Sequence, residues 1–254
     1  MNHTDYSKIA QNYDLSDSRH LIKKDQVISM LVASGRKNIR VLDLGCGTGN
    51  YLKHQSEKYF QEEPIEWYGL DASSKMLEIS KEKLEKVKLT LGNAEELPFE
   101  DSFFDYVICN HAYHHFDDKV KAFKEVYRVL KPDGGFFLKS VYPHLMKNSW
   151  VYSYFESVMK IDEERFLDKE ALKEVFRNIG FGLRFELRIY DVEQKLDLIL
   201  DEASLRNYSQ LSLVNDREYE SGISKIKEDL DEFGSRYFEY AKIQAFCTKN
   251  SSFQ

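Results

Sequence analysis

The stretch VLDLGCGTGNYL, residues 41–52, constrains this chain more than any other. A short apolar run ends in an acid, Asp43, and passes through three alternating glycines, Gly45, Gly47 and Gly49, into a helical pattern. A turn with so few side chains can take positive φ and lets a ligand come within contact distance of the backbone. The helix that follows directs N–H groups and a partial positive charge at whatever binds there. A strand, a glycine turn and a helix in that order open a βαβ unit, in which ligands collect at the carboxyl ends of the strands.

The same alternation runs on through the chain. Residues 16–34 read as a helix that begins near Ser16 or Asp17 and ends before Gly35. IRVLDL is the first strand, and the helix after the glycine turn extends to about Tyr59. IEWYGL, ending at Asp71, is the second strand, and Ser73 or Ser74 caps the next helix. VKLTLG and FDYVICN are the third and fourth strands, separated by NAEELPFEDS, whose Pro98 and charges deny it regular structure. From Asp117, the residues Val120, Phe123, Val126, Tyr127 and Leu130 line one helical face, which stops at KPDGG, and GFFLKSV is the fifth strand. Such alternation implies right-handed crossovers and a mostly parallel sheet covered on both faces.

After Tyr142 the rhythm changes. Residues 143–165 are aromatic-rich and read as irregular, and a helix follows from about Asp168 to Ile179. Residues 181–190 and 235–248 read as two late, antiparallel strands. The insert between them is helical by its spacing, with Tyr219, Ile223, Ile226 and Leu230 on one apolar stripe. Tyr142, Trp150, Tyr152, Tyr154 and Phe155 fit either a core or the wall of a substrate pocket.

Composition excludes several classes of function. A length of 254 residues suits one large domain or one domain with an insert. The start, MNHTDYSKIAQNYD, is polar, and no apolar run reaches the length of a bilayer span, so no membrane association is expected. Cys46, Cys109 and Cys247 are odd in number, distant from one another and without a CxxC spacing. They point to the reducing cytoplasm and to neither a disulfide frame nor a zinc ribbon. The formal net charge of -7 argues against broad contact with phosphate backbones, so no nucleic acid is expected as a partner.

Asp71 stands at the end of the second strand, where a carboxylate can accept hydrogen bonds from both hydroxyls of a ribose. The dinucleotide fingerprint GxGxxG does not fit, because the third glycine falls one place early. Asp43, two residues ahead of the first glycine, would also repel a pyrophosphate. An acid there suits a ligand with an amine. S-adenosylmethionine carries an amine, a carboxylate and a sulfonium, and no phosphate.

VLDLGCGTG, GLDAS, GNAEELPFEDSFFDYVICNHAYHHF and EVYRVLKPDGG follow one another in an order and spacing that resemble the class I S-adenosylmethionine-dependent methyltransferases, above all their small-molecule group. The resemblance implies an α/β fold: a doubly wound, mostly parallel seven-stranded sheet of the Rossmann-like methyltransferase type, with a helical cap insert. It implies a single domain over 1–254, with an N-terminal lid (1–36), a cofactor-binding core (37–142) and substrate cap segments (143–165 and 191–233). An insert that builds a dimer interface is the alternative for the cap segments, and oligomeric state stays open.

The resemblance further implies roles for individual residues. Asp43 would face the methionine amino group, with Gly45, Cys46 and Gly47 against the methionine and ribose. Asp71 would hold the ribose diol, Ala72 and Met76 would flank the adenine, and Ala94 would offer its backbone N–H to the ring. Asn110 would sit beside the methionine. Asn93 stands where the family commonly has an acid, and its carbonyl can still accept the adenine amino group's hydrogen bond. YSKIAQNYD resembles the segment that closes over the cofactor, which makes Tyr6 and Tyr13 candidate lid residues, with helix packing as the other reading.

His111, His114 and His115 precede two acids, Asp117 and Asp118. His111 and His114 are the candidates for a general base, since histidine accepts protons near neutral pH. A loop-shaping role, a substrate contact and a metal ligand set with Asp117 and Asp118 stay open beside it. The implied activity is transfer of a methyl group from S-adenosylmethionine to a small-molecule acceptor by in-line displacement. The alternatives are an RNA or protein methyltransferase, or a non-catalytic S-adenosylmethionine-binding partner subunit.

Overall fold

The structure is a computed structural model that describes residues 4–15, 24–59 and 65–249. Seven strands form one sheet: β1 (Ile39–Leu44), β2 (Ile65–Asp71), β3 (Val87–Leu91), β4 (Phe104–Asn110), β5 (Leu130–Val141), β6 (Phe181–Lys195) and β7 (Ser235–Lys249). Their order is β3-β2-β1-β4-β5-β7-β6. β1 pairs in parallel with both β2 and β4, β2 with β3, and β4 with β5. β7 runs antiparallel to both β5 and β6. The order therefore reverses at β1 and β4, and the crevice for a ligand opens at their carboxyl ends.

Burial on both faces explains why the central strands are continuous apolar runs. Along β1, Val41 packs on the same side as Leu52 of α3 (Asn50–Lys58) and Leu77 of α4 (Ser74–Lys83). Leu42 and Leu44 pack on the other side, with Phe123 of α5 (Lys119–Val129) and Phe176 of α8 (Lys169–Ile179). Ahead of the sheet lie α1 (Tyr6–Ile9), a 3₁₀ segment (Ala10–Leu15) and α2 (Gln26–Ala33).

The structure departs from the sequence reading in five places. The helix directly ahead of β1, α2, starts at Gln26, where the Asp25 side chain accepts the Val27 N–H (2.8 Å); Ser16 and Asp17 lie outside the described residues. On α5, Val120 is 40% exposed, and the buried stripe consists of Ala122, Phe123, Val126 and Val129. At 100° per residue Val120 sits about 120° around the helix from Val126, outside that stripe. KPDGG ends the helix but not the chain's pairing: β5 already begins at Leu130, opposite Phe104, and the register resumes at Gly135 opposite Tyr106. The residues between form a bulge in which Asp133 takes φ 59° and Lys131 pairs with Asp105 (2.6 Å).

Residues 143–165 are helical rather than irregular. A 3₁₀ turn (Pro143–Leu145) leads to α6 (Trp150–Tyr154) and α7 (Glu156–Arg165), and Trp150, Tyr152, Tyr154 and Phe155 are buried. β6 runs on to Lys195, so the helical insert begins at α9 (Leu196–Ser204) and ends with α10 (Asp216–Phe233). The extra residues, DVEQK, pair with 235–239 on the edge strand of the sheet, where every second side chain meets water. On α10, Ile226 is buried, and Tyr219, Ile223 and Leu230 pack against the same core. Among the described residues no helix is long and apolar enough to cross a membrane.

Candidate functional site

The glycine turn lies at the carboxyl end of β1 and is fixed to its neighbours through backbone groups. The N–H groups of Gly45 and Cys46 donate to the Leu70 carbonyl at 2.8 and 3.1 Å. Gly45 has φ +75°, and a Cβ there would collide with that of Ala112, so the turn passes against the loop after β4 more closely than any side chain permits. Gly47 has φ +53°, yet a Cβ there would meet nothing within 4 Å. That face of the turn is open. The Gly47 N–H donates to Asp71 Oδ2 (2.8 Å) and the Ser73 N–H to Asp71 Oδ1 (2.9 Å), which holds both carboxylate oxygens at the turn. Burial nonetheless raises the Asp71 carboxyl above its ordinary value, against these two bonds.

Asp43 is the more unusual group. It stands in β1 between Gly69 of β2 and Ile108 of β4 and is 2% exposed. Its Oδ1 has no hydrogen-bond partner. Burial, with Asp71's charge adding to it, pushes the carboxyl up to about 8. A buried carboxyl is costly to ionise unless a cation or donors meet it. An incoming ammonium would supply both. The donor set therefore fits the amino-acid end of S-adenosylmethionine.

The other expected cofactor residues surround these two. The Cys46 sulfur packs beside Gly69 of β2, and burial drives its thiol well above the ordinary value. Ala72 is exposed beside Asp71, while Met76 is buried. Asn93 is exposed and Ala94 buried in the loop after β3, where the Gly92 N–H donates to the Asp71 carbonyl (3.1 Å). Asn110 ends β4, opposite Lys139. The N-terminal segment closes this side: Ile9 and Ala10 cluster with Met76, and Tyr6, Tyr13 and Ile79 pack against them.

The histidines diverge. His111 is exposed and takes φ 53° while its N–H donates to the Lys139 carbonyl (2.8 Å), a conformation few non-glycine residues adopt. The His114 ring stacks on Phe166 with centroids 4.3 Å apart, and its Nδ1 has no hydrogen-bond partner. Burial first, then the nearby His115 and the Arg165 guanidinium, push His114 well below its ordinary value, so the ring is neutral near pH 7. His115 bonds the Tyr6 hydroxyl through Nε2 (2.5 Å) and Arg165 through Nδ1 (2.9 Å). A guanidinium only donates, so Nδ1 accepts, and in the neutral ring the proton assigned to Nε2 goes to the Tyr6 oxygen.

Three contributors escaped the sequence reading. Arg165 and Ser209 join His115 and Tyr6, with Arg165 Nη2 3.3 Å from Ser209 Oγ and the Thr4 hydroxyl donating to the Ser209 carbonyl (3.1 Å). The N-terminal segment, the loop after β4 and both inserted segments thus meet at one polar junction. Behind it, Arg165 lies 3.5 Å from Asp162, which accepts from Tyr152 (2.9 Å) and is pushed up to about 6 by burial. Asp14, in the N-terminal segment, is the third. No local pattern marks any of them.

Comparison with known proteins extends these observations. A family model described as a methyltransferase domain matches residues 42–138. The chain is similar to the demethylmenaquinone methyltransferase of Staphylococcus epidermidis, 34% identical over 207 residues, or 71% of this chain and 84% of that protein. The Staphylococcus aureus protein of that name is 34% identical over 206 residues, 70% of this chain and 84% of its own length. In fold, the chain resembles a protein from Anabaena variabilis assigned as a methyltransferase of an antibiotic biosynthesis pathway, with TM-score 0.69 and 21% identity over 89% of this chain and 98% of that one. It also resembles phosphoethanolamine N-methyltransferase 2 of Haemonchus contortus, solved in complex with S-adenosyl-L-methionine, with TM-score 0.57 and 21% identity over 95% of this chain and 57% of that one.

Proposed function

Because the chain belongs to the class I S-adenosylmethionine-dependent methyltransferases, we propose that its glycine turn holds the cofactor against β1 and β2 while a small-molecule acceptor binds beneath α6, α7, α9 and α10. The observation that carries this reading is Asp43, a buried carboxyl at a strand end with one oxygen unpartnered, beside an open glycine face.

When bound, S-adenosylmethionine supplies an electrophilic methyl group and a neutral leaving group. The protein's own work is binding, alignment and exclusion of water. Asp43 receives the ammonium. Asp71 has lone pairs beyond those taken by Gly47 and Ser73, and these receive the ribose hydroxyls. The backbone of Gly45, Cys46 and Gly47 lies along the methionine and ribose. Ala72 and Met76 flank the adenine, with the Asn93 carbonyl and the Ala94 N–H at its edge. Asn110 stands beside the methionine, and Tyr13 covers the cofactor from the N-terminal segment.

The similarity to demethylmenaquinone methyltransferases supports a small-molecule acceptor. A base is required only where the acceptor must lose a proton. His114, held neutral, and His111, at the end of β4, are the residues that fill that role. The three free, buried cysteines support a reducing, cytoplasmic setting.

Calorimetry with S-adenosylmethionine, S-adenosylhomocysteine and NAD tests the cofactor. The first two are expected to bind and NAD to bind far more weakly; preferential binding of NAD refutes the reading. Labelled S-adenosylmethionine incubated with a metabolite extract then identifies the acceptor by what gains a methyl group.

A further inference from the structure

We propose that Asp14 is a positioning residue that clamps the N-terminal segment onto the glycine turn and so sets the rate at which cofactor and product leave; this rests on the reading of that turn as the cofactor site. Asp14 lies near the end of the 3₁₀ segment Ala10–Leu15. Its Oδ1 accepts from Thr48 Oγ1 (2.7 Å) and from Asn50 Nδ2 (2.8 Å), and its Oδ2 pairs with Lys83 Nζ. Lys83 also donates to Asn50 Oδ1 (2.9 Å), which closes the ring. Four side chains from the lid, the turn, the first residue of α3 and the last residue of α4 are thereby tied together.

The place of this ring gives it a bearing on ligand exchange. Thr48 is 2% exposed and stands between Gly47, whose N–H holds Asp71, and Gly49, the residue that caps α3. The lid therefore touches the turn one residue from the Asp71 contact. From that anchor it runs over Met76 and reaches the loop after β4, where Tyr6 bonds His115. The path thus runs from the turn at the carboxyl end of β1 to the loop at the carboxyl end of β4. Lifting the segment would strip Asp14 of its partners, and closing it restores them.

Charge and burial favour the closed form. Burial alone would raise the Asp14 carboxyl, yet the bonds from Lys83, Thr48 and Asn50 outweigh it and hold the group below its ordinary value. Asp14 and Lys83 are each less than a quarter exposed, which limits screening. The apolar part of the contact is small, with Ile9, Ala10 and Met76 as its buried members. The clamp ties the segment to the glycine turn, while Tyr6–His115, Thr4–Ser209 and the Asn207 side-chain N–H donated to the Asn12 carbonyl (2.8 Å) tie it to the loop after β4 and to the insert. Release through a lifted state scales with the population of that state.

The test loads the full chain with labelled S-adenosylhomocysteine, chases with excess unlabelled compound and follows release, with thermal melting of the ligand-free protein alongside. Asp14→Asn and Lys83→Met should each speed release on the order of tenfold, the loss of charge-assisted hydrogen bonds. The double variant should be no faster than the faster single one, because both act on one clamp. Melting temperatures should fall little. Unchanged release in folded Asp14→Asn overturns the proposal, as do fully additive effects. Should Asp14→Asn fail to fold, Lys83→Met and Thr48→Val carry the same comparison, and normal release in both overturns it. A wild-type chain that binds no S-adenosylhomocysteine overturns the cofactor reading together with the clamp, whereas tight binding with unaltered release in the variants removes the clamp alone.

Discussion

Replacing Asp43 with asparagine separates stability from function in a way that can be measured. Burial and the nearby Asp71 take the Asp43 carboxyl from 3.8 to about 8 in the folded chain. The folded protein therefore keeps a proton that the unfolded chain gives up above about pH 4. The group's contribution to stability is fully present below about pH 4 and is lost as the pH rises through about 8. At about 1.4 kcal/mol per pH unit, the loss has an upper limit on the order of 6 kcal/mol. Asparagine has no charge to form. Ligand-free Asp43→Asn should match the wild type near pH 4 and exceed it by a margin that widens steadily toward pH 8. Asp162, pushed up to about 6, and Asp71, also raised, tilt both curves in the same direction, so the difference between the two proteins is the quantity to read.

The same proton reports on the cofactor. An ammonium brought to Asp43 favours its charged form, so S-adenosylmethionine binding to the wild type at about pH 6.5 should expel close to one proton. The asparagine variant should bind weakly and expel none. Urea melts across the pH range give the first result, and calorimetry in buffers of different protonation enthalpy gives the second. Parallel stability curves, or binding to the wild type without proton release, would refute the reasoning, because the carboxyl would then hold no proton in the folded chain.

Asp71→Ala should weaken S-adenosylhomocysteine binding on the order of tenfold to a hundredfold, the worth of hydrogen bonds to a charged group; an unchanged dissociation constant in the folded variant takes Asp71 out of the site. His114→Ala should lower turnover by about a hundredfold while cofactor affinity stays within a factor of about two, and normal turnover in both His114→Ala and His111→Ala would leave that loop a packing role alone. Gly222→Ala in α10 places a Cβ against the Phe155 ring and 2.7 Å from the Tyr154 carbonyl oxygen. It should cost about 1–3 kcal/mol and lower the melting temperature by several degrees; an unshifted melt would show that α10 moves aside without cost.

The parts of this chain that were legible in sequence are those whose chemistry is local. FDYVICN coincides with β4 because a strand buried on both faces is a nearly continuous apolar run, broken here by Asp105, which Lys131 and the Arg40 N–H meet, and the run ends where burial ends. Gly45, Gly47, Asp43 and Asp71 announce themselves for a similar reason: a backbone conformation and a charge at a strand end are properties of a few consecutive residues. Polar DVEQK gives no such sign, since an edge strand with one wet face needs no apolar run. The α6 helix has five residues, too few to display a period, so its aromatics read as irregular. The clamp and the polar junction are further still from local pattern. Asp14 meets Thr48 across 34 positions, Arg165 meets His115 across 50, and Arg165 meets Ser209 across 44. Each of these side chains is ordinary where it stands and acquires its role only from the partner the fold brings. Two chains sharing VLDLGCGTG and GLDAS but differing at Asp14, Arg165 or Ser209 would keep the same strand ends and yet join the N-terminal segment to them differently.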